Sequence, residues 1–207
     1  MNFLSKSNEQ SNKSLFIFDW DDTLFPTSWS FKQNINLKQE NKVQYINIYK
    51  ELDVVLYNIF MKLLKSHYVI IITNASVEWV KLSMSVLLNT SKILNNVKII
   101  SAKEKYHEYN NPSFWKIYAF NDEVNIIIKK NKLKSVISLG DALYEYNALV
   151  ELYHPHKHNI KYFKTVKFLK DSTLNTLMTQ LMLVFKSLDN LADTSKHLDL
   201  NIQILNN

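Results

Sequence analysis

The sequence predicts an α/β fold, a Rossmann-like three-layer α/β/α sandwich built on a mainly parallel β-sheet. Short apolar runs of strand length alternate along the chain with longer segments in which apolar residues recur at helical spacing. The run at 15–18 is apolar at every position, which is typical of a strand buried on both faces. This alternation indicates parallel strands joined by right-handed helical crossovers that cover both faces of the sheet.

The first half of the chain contains three of the predicted strands, each followed by a polar or helical segment. These strands are residues 15–18, 68–72 and 97–101. A helix is predicted over 41–65, where Ile48, Leu52, Val55, Ile59 and Leu63 lie on one face, and another over 76–90. Residues 25–40, with Pro26 and Trp29, are predicted to be irregular.

The second half continues the alternation. A polar loop at 103–112 precedes a helix at 113–131, a strand at 135–139, a helix at 142–151, a strand within 160–169 and a helix at 172–190. The strand at 135–139 ends at Gly140, the one glycine of the chain. His154, His156 and His158 alternate after the short helix, and we expect them to lie in a solvated loop rather than in a metal site.

The chain of 207 residues is long enough for one domain with a sizeable core. We expect a flexible N-terminal arm at 1–13, a single domain at 14–190 and a C-terminal extension at 191–207. The absence of cysteine, of a secretory apolar segment and of a membrane-length apolar run predicts a cytoplasmic protein that contacts no membrane. Its oligomeric state is left open.

The net charge of +6 does not by itself indicate a nucleic-acid partner. All 25 basic residues are lysines, and the chain has no arginine. Without the planar guanidinium fork, any phosphate recognition must use lysine, hydroxyl groups and backbone amides. The lysine-rich stretches at 129–134 and 161–170 therefore favour solvated faces over a nucleic-acid surface, which would bind with strong salt dependence.

The residues that are missing exclude several classes of enzyme. A single glycine excludes the glycine-rich phosphate loop, the dinucleotide-binding fingerprint and the nucleophile elbow of serine hydrolases. The lack of cysteine excludes thiol nucleophiles and cysteine-ligated zinc. The available chemistry is that of carboxylates, hydroxyls, histidine and lysine.

Polar side chains follow three of the predicted strands at the point where each strand ends. Asp19 and Asp21 follow the first strand, Thr73 and Asn74 the second, and Asp141 the strand that ends at 139. The carboxyl ends of parallel strands are where ligands bind in open α/β sheets. Two like charges about 4 Å apart repel by about 4 kcal/mol at an effective dielectric of 20, so the three acids require a cation.

These stretches resemble the motifs of the haloacid dehalogenase-like (HAD) hydrolase superfamily. FIFDWDDTL resembles the first motif, D-x-D-x-T after an apolar strand, and IIITN at 70–74 resembles the second. Lys116 lies where the third-motif lysine is expected, and SLGDALYE at 138–145 resembles the fourth motif. The resemblance covers residues 14–150 and implies a capless or minimally capped phosphatase with the HAD-like fold.

The resemblance implies a role for each matched residue. Asp19 would be the nucleophile that forms an aspartyl-phosphate, and Asp21 the general acid and then the general base. Thr73, Asn74 and Lys116 would bind phosphate oxygens.

The implied cofactor is Mg²⁺, held by Asp141, the Asp19 carboxylate and the Asp21 backbone carbonyl. Oxygen ligands beside a phosphoryl group independently favour this ion.

The sequence departs from the family pattern at two positions. Asp22 stands where many members carry glycine, and we expect a turn residue there rather than a catalytic group. Glu145 takes the place of the last aspartate and would either reach the metal through water or orient Lys116. Lys103 and Lys105 follow the third strand and are alternatives to Lys116 as the phosphate lysine.

The function predicted from these residues is a Mg²⁺-dependent phosphatase. The segments after the first and second strands are too short for a cap domain, so we expect an open site. Its rim is expected to include Trp20, Trp29 and the loop 103–112. The expected substrate is a phosphorylated protein or another large phosphoester. Transfer to an acceptor other than water remains open. The alternative function is a non-catalytic scaffold that binds phosphorylated partners.

Overall fold

The computed structural model describes residues 13–38 and 43–204. All but the last residue of the predicted N-terminal arm, and the end of the predicted C-terminal extension, lie outside the described residues. Among the helices of the described part, none combines the length and apolarity that crossing a membrane requires.

The described residues form a six-stranded, all-parallel sheet, which confirms the predicted α/β fold class. The strands are β1 (Ser14–Phe18), β2 (Tyr68–Thr73), β3 (Lys98–Ser101), β4 (Ser135–Gly140), β5 (Tyr162–Lys167) and β6 (Leu198–Asn201). Their order across the sheet is β3-β2-β1-β4-β5-β6. β1 is central, and every one of its residues is buried, as the unbroken apolar run predicts.

Helices cover both faces of the sheet. They are α1 (Thr27–Lys32), α2 (Val43–Ile48), α3 (Lys50–Ser66), α4 (Val77–Met84), α5 (Leu88–Leu94), α6 (Ala102–Tyr106), α7 (Pro112–Lys130), α8 (Leu143–His156) and α9 (Leu174–Asp193). Alternate residues of β1 enter two separate apolar clusters: Phe16 and Phe18 pack with α3 and α9, and Leu15 and Ile17 pack with α7 and α8. The segments in which a cap would be inserted form α1, α2 and α3 after β1, and α4 and α5 after β2.

Two long predicted helices are each divided in the structure. The segment 41–65 contains α2 and α3, which are separated at Tyr49, and the segment 76–90 contains α4 and the start of α5. The second division has a clear physical cause in Asp53 of α3. Its buried carboxylate accepts hydrogen bonds from the backbone N–H groups of Asn89 (2.9 Å) and Thr90 (2.8 Å), which lie in the first turn of α5. A side chain distant in sequence thus caps the N-terminus of a new helix.

Replacing Asp53 with alanine is expected to destabilise the protein by about 2 kcal/mol, because the first turn of α5 loses its capping acceptor in a buried setting. Urea denaturation measures the loss. Glu51→Ala is the matched control, since Glu51 is an exposed acid of the same helix and its loss is expected to change stability by less than about 0.5 kcal/mol. Equal stability of the two variants would contradict the capping role.

Two predicted loops contain more helix than expected. The start of the loop at 103–112 belongs to α6, whose first turn is capped by the Ser101 hydroxyl accepting from the Glu104 N–H at 3.1 Å. His154 and His156 lie in the last turn of α8 and not in a loop, so that prediction was wrong for them; Pro155 lies in the same turn. Proline has no backbone N–H to donate, but the loss of this one hydrogen bond in the last turn does not end α8 earlier.

Part of the predicted C-terminal extension belongs to the sheet. β6 pairs in parallel with β5, with Thr165 opposite Asp199 and Lys167 opposite Asn201. The alternation of apolar and polar residues in LDLNI, residues 198–202, is the sequence signal of this strand. Leu198 packs against the cluster beneath α9, while Asp199 and Asn201 face the other side.

Candidate active site

The ends of three adjacent strands bring the predicted site residues together. β1 lies between β2 and β4, so Asp19 after β1 is flanked by Thr73 at the end of β2 and Asp141 after β4. The N–H of Asp19 donates to the Leu139 carbonyl at 3.0 Å, which extends the β1–β4 pairing by one residue. Asp19 is 7% exposed.

The turn after Asp19 is held by a buried tryptophan. The carbonyl of Trp20 accepts backbone hydrogen bonds from Leu24 (2.9 Å) and Phe25 (3.0 Å), and its indole N–H donates to the Ser83 hydroxyl at 2.9 Å. The expectation that Trp20 lines the rim is therefore wrong: its ring is fully buried and stacked on Phe25. Trp29 is half-buried, with its ring edge-on to Tyr49.

Asp21 is oriented by two side-chain donors. Its Oδ1 accepts from the Thr27 hydroxyl at 2.5 Å and from the Trp79 indole N–H at 2.8 Å. Burial raises the pKa of Asp21 above its usual value, although both hydrogen bonds act in the opposite direction. A carboxyl group with a raised pKa is suited to general acid–base catalysis. Trp79 was not predicted as a site residue, because nothing local in the sequence links α4 to the turn after β1.

Asp22 is in the left-handed backbone region, with φ of 52°. Its carboxylate accepts from the Ser28 N–H at 2.9 Å and also from the Ser28 hydroxyl, in the first turn of α1. The positive φ is the conformation that glycine adopts most readily, and aspartate tolerates it when its side chain bonds locally. The geometry is that of a turn residue.

Lys116 is the buried cation of the site. It is 1% exposed, and its Nζ lies 2.9 Å from Asp19 Oδ1 and in direct contact with Glu145 Oε1. Burial alone would lower the pKa of Lys116, but the two carboxylates raise it above its usual value, so the side chain is cationic. The contact with Asp19 is an ion pair rather than an aligned hydrogen bond, since Asp19 Oδ1 accepts none from the described residues.

The alternative lysines lie elsewhere. Lys105 pairs with Glu123, at 2.9 Å, and with Asp122, at 3.6 Å, both in α7. Lys103 is exposed on α6. Of the three candidates, Lys116 is therefore the one in contact with Asp19.

Glu145 contacts Lys116 directly. Its Oε1 pairs with Lys116, and its Oε2 accepts from the Ala142 N–H at 3.2 Å. The side chain reaches this position by crossing over Gly140: a Cβ on Gly140 would lie 2.3 Å from Glu145 Cγ and 2.4 Å from its Cδ. The one glycine of the chain is thus required by a close side-chain approach.

Gly140→Ala is expected to displace Glu145 and to lower the free energy of unfolding by about 1–3 kcal/mol, because the new methyl group occupies the space of the carboxylate. A double-mutant cycle in urea measures it. In a Glu145→Ala background the obstructing atoms are absent, and the added cost of Gly140→Ala is expected to fall below about 1 kcal/mol. The same cost in both backgrounds would contradict the close approach.

The chemistry of the site fits a hard cation. Asp19, Asp141 and Glu145 each offer an oxygen, and these three atoms lie within 4.8 Å of one another. Burial, with smaller contributions from the nearby charges of Asp19 and Glu145, raises the pKa of Asp141 to about 7. The Asp21 carboxylate is not part of this oxygen cluster, in contrast to the side chains of Asp19 and Asp141.

Two polar groups end β2 beside Asp19. Thr73 is buried, and its Oγ1 accepts from the Ala75 N–H at 3.1 Å, which leaves the hydroxyl proton available to a ligand. The Oδ1 of Asn74 is buried and has no hydrogen-bond partner among the described residues. A polar group left in this state is costly unless a ligand or water completes it.

His154 and His156 lie apart from this cluster. Among the described residues, the one group of three or more potential metal ligands is Asp19, Asp141 and Glu145. Burial lowers the pKa of His156, which therefore favours the neutral form.

A search of solved structures finds chains of similar fold, two of which are described as HAD-type hydrolases. A scan against protein-family models and a search of curated proteins find no match. A haloacid dehalogenase-like hydrolase from Burkholderia xenovorans LB400 is 12% identical, with a TM-score of 0.39, over 75% of this chain and 84% of that chain. A HAD family hydrolase from Deinococcus radiodurans R1, with bound phosphate and sodium, is 9% identical, with a TM-score of 0.39, over 91% of this chain and 92% of that chain.

Proposed function

We propose that this protein is a HAD-like phosphatase that hydrolyses phosphomonoesters through an aspartyl-phosphate on Asp19. The observation that carries the proposal is the pairing of Asp19 with the buried Lys116, while Asp21 is held two residues further on by Thr27 and Trp79. The arrangement provides a nucleophile, a cation for the phosphate and a carboxyl group with a raised pKa.

The proposed reaction has two steps that use the same residues. An oxygen of Asp19 attacks phosphorus while the bond from phosphorus to the leaving oxygen breaks, and Asp21 donates a proton to that oxygen. Asp21 then removes a proton from water, which attacks phosphorus, releases inorganic phosphate and restores the Asp19 carboxylate. Lys116, Thr73 and Asn74 hold the phosphate oxygens in both steps.

We propose Mg²⁺ as the cofactor because the donors are all oxygens and their negative charge exceeds that of Lys116. Asp19 and Asp141, with the Asp21 backbone carbonyl, would hold the ion. Both oxygens of Glu145 already have partners within the protein, which supports a role in positioning Lys116. Bound Mg²⁺ would supply positive charge that lowers the repulsion between the Asp19 carboxylate and a phosphate.

A large phosphoester, such as a phosphorylated protein, is the proposed substrate class. It is supported by the segments between β1 and β2 and between β2 and β3, whose described residues form helices α1 to α5 and no separate cap domain. Transfer of the phosphoryl group to another acceptor would use the same first step.

The second candidate function is a scaffold that binds phosphorylated partners without turnover. It is favoured by the buried ion pair of Lys116 with Glu145, because this pair already neutralises the lysine that catalysis would use. The two functions differ in whether Asp19 forms a covalent adduct.

Fluorine NMR with Mg²⁺ and beryllofluoride, which mimics an aspartyl-phosphate, tests the proposal without a known substrate. We expect bound-fluoride signals that require Mg²⁺, are absent in Asp19→Asn and persist in Asp189→Asn, a control at the exposed surface of α9. Folded wild-type protein without an adduct would instead favour the scaffold.

A further inference from the structure

A cleft lies beyond Glu145, on the side of the sheet that α8 covers. It has a volume of about 140 Å³ and is open to solvent. Its walls are the beginning of α8, including Leu143 and Tyr146, and the ends of β4, β5 and β6. Glu145 forms part of the wall, so its side chain lies between this cleft and the Asp19–Lys116 pair.

Two rows of residues that cross three strands line the cleft, and each row contains polar side chains. The first row is Ser138, Thr165 and Asp199, which are opposite one another in the β4–β5 and β5–β6 registers. The second row continues from Gly140 to Lys167 and Asn201. Earlier positions on the same face, Val136 and Phe163, are apolar and packed against α8. A ligand site needs polar side chains that orient the ligand, whereas a hydrophobic core does not. The change from apolar to polar residues along this face of the sheet therefore favours a ligand site.

The individual groups of the cleft are incompletely used within the protein. The hydroxyl of Ser138 is buried and has no hydrogen-bond partner among the described residues. Thr165 donates to Asp199 Oδ1 at 2.5 Å, which leaves the second oxygen of this exposed carboxylate as an acceptor. Lys167 is half-buried and forms no ion pair with any residue of the described part. A buried hydroxyl without a protein partner in the wall of a cleft is available to hydrogen-bond a ligand.

We propose that this cleft binds a small carboxylic acid that also carries a hydroxyl or amino donor. The carboxylate would pair with Lys167 and accept from the Asn201 amide, and the donor would bond to Asp199. Ser138, at the floor, can donate or accept. The volume lies below the roughly 300–1,000 Å³ of pockets for drug-sized ligands, so a short-chain acid is the appropriate size.

Ligand-observed NMR titration of the full chain with L-serine and with D-glycerate tests the site. We expect both probes to bind with millimolar dissociation constants, as so few contacts allow. Glycerol lacks the carboxylate, and propionate lacks the donor, so each is expected to bind at least about tenfold more weakly, the equivalent of one lost polar contact.

Variants locate the binding. Lys167→Gln is expected to weaken both probes about tenfold or more. Lys170→Gln, three residues beyond and outside the cleft lining, is expected to leave their affinity unchanged. No binding of either probe to the folded wild-type protein at about 20 mM would overturn the proposal, as would equal affinity in Lys167→Gln. Because binding is measured without Mg²⁺ or turnover, the result is independent of whether Asp19 forms a covalent adduct.

Discussion

Replacing Lys116 with methionine is expected to destabilise the protein by about 3–5 kcal/mol, the largest effect on stability that we predict for a single substitution. Methionine keeps much of the buried volume but removes the charge, which leaves Asp19 and Glu145 as neighbouring buried carboxylates without a cation. Burying an uncompensated charge costs more than the ion pair itself contributes. Urea denaturation at neutral pH in metal-free buffer measures the loss.

Two further variants separate the charge from other effects. Lys62→Met removes the surface ion pair with Asp189 and is expected to cost less than about 1 kcal/mol. In the double variant Lys116→Met with Glu145→Gln, one of the two stranded charges is gone, and part of the lost stability is expected to return. A Lys116→Met protein within about 1 kcal/mol of the wild type would contradict the buried ion pair.

The second large effect is a pH-dependent stabilisation by a divalent cation. The pKa of Asp19 is raised from 3.8 to about 6 and that of Asp141 from 3.8 to about 7, in both cases chiefly by burial. Folded pKa values above the unfolded ones mean that the native state binds more protons, so metal-free protein loses stability as pH rises through about 4–7. Mg²⁺ binds the ionised carboxylates, and its stabilising effect is therefore expected to be larger at pH 8 than at pH 5.

Asp141→Asn tests this expectation directly. It removes one of the crowded charges, so its melting temperature without metal is expected to exceed that of the wild type at pH 8 by several degrees. Its response to Mg²⁺ is expected to be lost. Asp189→Asn, at the surface, is expected to retain the wild-type pH profile and the Mg²⁺ response. An Asp141→Asn protein that Mg²⁺ stabilises as much as the wild type would contradict metal binding at this cluster.

The residues of the candidate site could be located from the sequence because the fold does most of the positioning. Parallel pairing of β1 with β2 and β4 brings their carboxyl ends together, so polar residues at those ends are neighbours whatever the intervening chain does. Lys116 required the family resemblance, since its helix begins far from Asp19 in sequence. The resemblance implied a phosphate-binding role for Lys116, and its contact with Asp19 was not predicted.

Two of the contacts that the sequence did not predict depend on pairs of residues far apart in the chain. Trp79 donates a hydrogen bond to Asp21, and Asp53 accepts a hydrogen bond from the first turn of α5. Neither contact produces a pattern in the local sequence. β6 was missed because four residues of alternating polarity are too short a signal on their own. The requirement for Gly140 follows from the path of the Glu145 side chain, which no periodicity reveals.

The helix α4 makes two hydrogen bonds to the turn that follows β1. Trp79 donates to Asp21, and Ser83, one helical turn later, accepts from the indole of Trp20. Of the four tryptophans of the chain, Trp79 therefore donates its indole N–H to this turn, and Trp20 donates its indole N–H from the turn to α4. The intrinsic fluorescence of these two tryptophans is therefore expected to change when a ligand shifts the turn, so binding can be followed without a label.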